Sequence, residues 1–223
     1  MNAKLIAPCV LMIVVSFVSF SGAQILEPQD DIHSWNELQL TVPLTKQFDY
    51  YNSVAMRFGK NVSRLNDARI GIGFVWKPTK SFSVQPFYVY IQARNAVGRF
   101  RIEHRLNLRA SYRFPVKQFG LTHRSLVEYR VRGPLKAWRY RPSITVEKDI
   151  PKRFIPGSKI FVTEEVFYDS LLKRFSRNRF TVGINKTINK LASVDIYYMR
   201  QNDGFSRPGD LHVIGTTWRL RTK

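Results

Sequence analysis

Cysteine is nearly absent from this chain. The single one, Cys9, lies within the first 23 residues, and the remainder has none. That excludes a disulfide framework, a thiolate nucleophile and a cysteine metal site. Acidic residues are also scarce, 16 Asp and Glu against 36 Lys and Arg. After Ala23 no apolar run is long enough for a membrane helix, and no stretch is of low complexity. What remains must be held together by burial or by a membrane.

The N-terminus sets the compartment. MNAKLIAPCVLMIVVSFVSFSGAQ has one early cation, Lys4, then an apolar run from Leu5 to Phe20 and small residues at Ser21, Gly22 and Ala23. This predicts a secretory signal peptide over residues 1–23, cleaved after Ala23. An uncleaved anchor would need a longer apolar run. Residues 24–33 are expected as a short N-terminal segment and 34–223 as one barrel domain. Without Lys4 the chain carries 35 basic and 16 acidic residues, a formal charge of +19. Such a balance suits anionic partners: nucleic acid, acidic headgroups or anionic solutes.

The cations are not gathered in a tail but recur every second residue. In RFRIEHRLNLRASYRF, residues 99–114, the odd positions include Arg99, Arg101, Glu103, Arg105, Arg109 and Arg113. The even positions are apolar except for His104. A period of two is a strand with two chemically opposite faces. Similar segments are expected near 34–43, 48–59, 68–77, 82–92, 100–114, 121–132, 137–148, 159–169, 178–186, 193–201 and 210–221. Alternating segments of about ten residues separated by turn residues are the pattern of an antiparallel transmembrane β-barrel.

Eleven strands is an odd number, whereas single-chain bacterial barrels normally close with an even one. With eleven, the first strand would run parallel to the last. A twelfth within 24–33 would repair closure, despite Pro28, Asp30 and Asp31. The expectation is therefore ten to twelve strands, with twelve favoured. Five connections read as compact Pro- and Lys-rich periplasmic turns, VPLTKQ among them, and the alternating five as outward loops.

Sorting by parity predicts one charged and one apolar face. The charged face holds Glu37, Arg57, Arg69, Glu103, Arg105, Arg109, Arg124, Glu128, Arg130, Arg139, Arg141, Glu147, Glu165 and Arg179. The apolar face has aliphatics at mid-strand and aromatics near both ends: Tyr50, Trp76, Tyr112 and Trp218 at one, Tyr129, Trp138 and Tyr140 at the other. A sandwich core would show rings at mid-strand as often. Two heights of rings fit bilayer girdles, which puts the Arg face in the lumen.

Several motifs together resemble a known family. They are Trp35 with Glu37, Glu103-x-Arg105, Arg124-x3-Glu128-x-Arg130, Arg139-x-Arg141, TEEVFYD (163–169) and NRFTVGI (178–184). This series resembles the bacterial outer-membrane proteins of domain-of-unknown-function family 2490, over residues 34 to 221. Glu164 departs from the Asn that precedes Glu-x-Phe in that family. The resemblance implies an outer-membrane barrel and supplies no activity, since the family has none assigned.

The lumen charges admit two readings: paired Arg–carboxylate ladders that fill the interior, or a surplus of Arg that draws small anions through a hydrated pore. Loop cations Arg64, Arg94, Lys173, Arg174 and Arg207 suit lipopolysaccharide phosphates. A rival is a lipid-modifying hydrolase using His123 and Ser125, neighbours on the lipid-facing side of one strand, though no acid or amide there orients the His. Carboxylate acid–base catalysis by Glu103, Glu128 and Glu165 would need one of them kept protonated, which dense Arg opposes. A second rival is a soluble periplasmic β-protein that binds polyanions. Nucleic acid is not expected as a partner, because the Arg are spread over most strands and no binding module is recognisable. No cofactor is expected. Neither is a metal, since His33 and His212 lack ligand spacing.

Overall fold

The computed structural model describes residues 30–95 and 98–222 of the chain. The expected signal peptide, and residues 24–29 of the expected N-terminal segment, lie outside the described residues. Eleven strands follow: β1 Asp31–Pro43, β2 Phe48–Gly59, β3 Arg64–Trp76, β4 Phe82–Arg94, β5 Phe100–Phe114 and β6 Gly120–Arg132. Then come β7 Leu135–Asp149, β8 Ser158–Asp169, β9 Arg174–Asn189, β10 Ala192–Asp203 and β11 Leu211–Arg221. Each pairs antiparallel with its chain neighbour, and the sheet closes into a barrel where β1 meets β11 in parallel.

That closure corrects the favoured count of twelve. The β1–β11 ladder runs in continuous register from Asp31↔Leu211 to Thr41↔Arg221. It is flanked by bonds from Asp31 N to the Asp210 carbonyl and from Thr222 N to the Thr41 carbonyl, both 3.1 Å. The edges of β1 and β11 satisfy each other, so no further strand is needed to pair them. β1 also begins at Asp31 and so takes in residues 31–33 of the expected leading segment.

The strands outrun their expected ends. β3 starts at Arg64 and β9 at Arg174, because each hairpin ladder continues past a register shift, at Arg57/Phe58 and at Phe167/Tyr168. The loops shrink accordingly. The connections at the β1–β2 end are 4, 5, 5, 8 and 2 residues long, against 4, 5, 2, 4 and 7 at the other. Length therefore does not separate turns from loops, contrary to expectation.

The direction of the two faces decides the architecture. Leu106, Leu108 and Ile144 are 60%, 52% and 41% exposed, while Glu103, Arg105 and Glu128 keep 5%, 9% and 2%. The barrel is apolar outside and charged within, the reverse of a sandwich. Rings on the outer face pack in pairs toward the ends. Phe48 stacks on Trp76 and Tyr50 meets Phe74 edge-on at one end; Tyr129 contacts Trp138, centroids 4.7 Å apart, at the other. The interior also has an apolar cluster beside the closure, Trp35, Met199, Leu211 and Val213, with Tyr197 against it. Tyr197 fits because Gly215 faces it: a Cβ at Gly215 would strike its ring.

Candidate functional site

The lumen gathers the charges that strand parity placed there. β5 and β6 are adjacent, with Arg105 opposite Arg130 and Asn107 opposite Glu128. Two cationic side chains in register must share a carboxylate, and Glu103 serves both: its Oε1 accepts from Arg105 Nε and from Arg130 Nε at 2.6 Å each. Arg132 Nε stands 3.3 Å from Glu103 Oε2. One strand further on, Arg141 of β7 bridges two acids. It donates from Nη1 to Glu128 at 2.6 Å and from Nη2 to both Glu165 oxygens at 2.9 and 2.8 Å. Arg124 of β6 reaches Glu165 at 2.5 Å across β7. This belt of three buried glutamates and their arginines links β5 to β8, and it is closed by charge-assisted bonds of the strongest class.

Five acids absent from the expected cluster extend the pairing; two of them are Asp49, which takes Lys77 and Arg221, and Asp195, which takes Arg219 at 2.5 Å. Asp169 accepts from Arg139 at 2.7 Å, Asp67 from Arg69, and Asp203 from Arg177. Asp169 shares its strand parity with Glu165, and Asp67 sits two residues before Arg69, so the signal was present. The expected strand ends hid Asp67 and Asp203 among loop residues. Glu147 pairs with Arg113 and Lys159 at the β1–β2 end of the barrel, and Glu37 bonds Gln39 at 2.9 Å. Arg179 holds Gln201 at 2.9 Å and lies 3.7 Å from Glu165.

Two lumen arginines remain outside this pairing. Among the described residues, neither Arg57 nor Arg109 has a carboxylate within ion-pair distance. Arg57 instead lies over the Trp35 ring, 3.6 Å from its centroid, with Arg179 at 4.8 Å from the same ring. Arg109 bonds the Gln85 amide oxygen at 3.1 Å and sits 5.0 Å from the Phe87 centroid. Phe167, 1% exposed, is a second ring inside the bore, with Arg141 and Arg179 at 4.5 and 4.6 Å. A cavity of about 200 Å³ opens between Trp35 and Phe167, under Ser206 and Pro208 of the β10–β11 connection.

The expected interface aromatics Tyr50, Trp76, Tyr112, Tyr129, Trp138, Tyr140 and Trp218 all face outward; the most exposed, Trp138, is 55% accessible. His123 and Ser125 also face outward and bond each other at 3.0 Å, with the Tyr140 hydroxyl 3.0 Å from Ser125 Oγ. Their neighbours in register on β5 and β7 are Tyr112, Ile144, Ala110 and Pro142, none of them acidic. The same motif recurs where His104 bonds Tyr88 at 2.6 Å and His212 bonds Tyr198 at 2.7 Å. Three outward histidines each satisfied by a hydroxyl describe polar pairing on an apolar wall better than a nucleophile. Glu164, the departure from the family pattern, also faces outward and accepts from Asn178 at 3.3 Å, while Glu165 faces in. Of the expected loop cations, Arg94 is the last residue of β4, and two of its five N–H donors are bound to the carbonyls of Leu65 and Gly98 at 2.8 and 2.6 Å.

Known barrels share the outline. A KdgM porin is similar at a TM-score of 0.47 with 14% identity, over 78% of this chain and 92% of that one. A NanC porin gives 0.49 with 10% identity, over 82% and 93%. The anion-selective porin from Comamonas acidovorans gives 0.41 with 10% identity, over 79% and 54%. No curated protein matches the chain. Residues 32–211 match a family model described as protein of unknown function, DUF2490. With most of its length inside that match, the chain belongs to the DUF2490 family.

Proposed function

We propose that this protein is a bacterial outer-membrane β-barrel, exported by a signal peptide over residues 1–23, whose lumen binds and conducts small anions. The outer wall supports the membrane reading. Exposed Leu38, Ile70, Ile72, Leu106 and Leu108 form an apolar band between two levels of rings. A strand of 13 residues spans roughly 43 Å, or about 33 Å when tilted near 40°, enough to cross the hydrocarbon.

The observation that favours anions is the surplus of guanidiniums in the bore. Glu103 alone serves Arg105, Arg130 and Arg132, Glu165 serves Arg124, Arg141 and Arg179, and among the described residues Arg57 and Arg109 have no carboxylate partner. Buried polar atoms without a protein partner, Glu128 Oε2 and the Nε of Arg124 and Arg141, suit a hydrated interior. Eight strands give a bore that side chains fill, and sixteen an aqueous channel; eleven with long Arg side chains gives a narrow, restricted path. Lys60, Arg64, Lys173, Arg174 and Arg207 crown one end, where they suit lipopolysaccharide phosphates.

Recording from refolded protein in planar bilayers tests this. A salt gradient should give a reversal potential of anion sign, reduced in the double variant Arg57→Glu, Arg109→Glu. A closed barrel, or one preferring cations, rejects conduction.

A further inference from the structure

We infer that the cavity between Trp35 and Phe167 is a binding site for a small polyanion carrying two or more oxyanion groups. This deepens the lumen reading by naming the ligand class. Seven guanidiniums line the cavity, against one carboxylate, that of Asp67. The acids that balance them stand behind, against the barrel wall. Arg105 is anchored on Glu103 at 2.6 Å, Arg139 on Asp169 at 2.7 Å and Arg177 on Asp203, and none of these three acids lines the cavity.

This layering matters because a guanidinium has five N–H donors in a rigid fork, and one carboxylate uses only some of them. The acid fixes the fork's direction and takes only part of it: Asp169 uses Nε and Nη2 of Arg139, and Asp203 uses Nε and Nη2 of Arg177, which leaves Nη1 of each for a ligand. Arg57 spends none on an acid. It is held by its contact with Trp35, whose ring also neighbours Arg179, so the aromatic surface props cations and is not free to stack on a ligand. Planar forks at several points match carboxylate or phosphate oxygens, and a single halide cannot engage them. A cavity of about 200 Å³ admits one small molecule, and Ser206 and Pro208 of the β10–β11 connection are part of its lining.

Isothermal titration calorimetry on the full refolded barrel in uncharged detergent tests the site, with citrate, pyrophosphate and chloride at matched ionic strength. Saturable single-site binding of citrate or pyrophosphate is expected, with none for chloride. Binding of citrate alone assigns carboxylates, and of pyrophosphate alone phosphates. Arg57→Gln should weaken binding at least tenfold and Arg57→Lys by an intermediate factor, while Lys117→Gln, far from the cavity, should not change it. Each variant is first checked for heat-modifiable gel mobility. No heat from either polyanion, or wild-type affinity in both Arg57 variants, overturns the inference. Binding without bilayer current ends the conduction reading alone, and current without binding ends this one alone.

Discussion

Arg141 holds both oxygens of Glu165 at 2.8 and 2.9 Å while its other terminal nitrogen donates to Glu128 at 2.6 Å. One guanidinium thus bridges two buried carboxylates; without it Glu128 keeps only Arg105 at 3.6 Å, while Glu165 keeps Arg124 at 2.5 Å and Arg179 at 3.7 Å. Arg141→Ala should therefore destabilise the barrel by less than the roughly 3–5 kcal/mol of a fully stranded buried charge, with Glu128 the acid left poorest in partners. Denaturant unfolding of the refolded protein measures this. Arg57→Ala, which strands no acid, should cost far less.

The parallel closure is open to direct test. Asn36 and Thr216 are partners across the β1–β11 ladder, and Thr216 Oγ1 donates to Asn36 Oδ1 at 2.8 Å. Because the chain after Ala23 has no cysteine, Asn36→Cys with Thr216→Cys gives a clean pair at a separation a disulfide can bridge. Oxidation should produce one intramolecular cross-link, read by thiol counting and gel mobility. A twelfth strand between β1 and β11 would prevent it.

Adding charge to the outer wall should cost more than removing an unpaired charge from the bore. Leu108, 52% exposed, lies near the middle of β5, and Leu108→Arg should destabilise folding into bilayers by about 2–4 kcal/mol. Arg109→Leu, one residue along but facing inward, breaks no ion pair and should cost less. Equal losses would contradict the assigned faces.

Space for Tyr197 depends on Gly215, whose ideal Cβ would collide with Tyr197 Cζ, Oη and Cε2. Gly215→Ala should cost about 1–3 kcal/mol by overpacking, and adding Tyr197→Ala should recover part of it. Unfolding of the two variants and their combination measures the coupling.

Much of this fold was legible because a strand with one greasy and one charged face writes a period of two into the sequence. Arg105 and Leu106 declare opposite sides without any tertiary information. The closure was not legible, since parity says nothing about which edges meet, and an odd count looked like a missing element. The belt of Glu103, Glu128 and Glu165 was foreseen as residues but not as pairings, which depend on register between β5, β6, β7 and β8. Asp67 and Asp203 were lost at strand ends that continue past a bulge or into a connection. Trp35 appeared only as a motif residue, although it lies in the expected strand 34–43 and shares the parity of Glu37; that Arg57 covers its ring depends on the β1–β2 register, which sets the two opposite each other.

The relation between the two faces and the bilayer is tested most directly by single-cysteine variants at Leu106 and Asn107, labelled with an environment-sensitive fluorophore in refolded vesicles. The probe at 106 should be quenched by brominated acyl chains and ignore aqueous iodide, and the probe at 107 should ignore the lipid quencher. Lipid quenching at 107 with none at 106 would contradict the account.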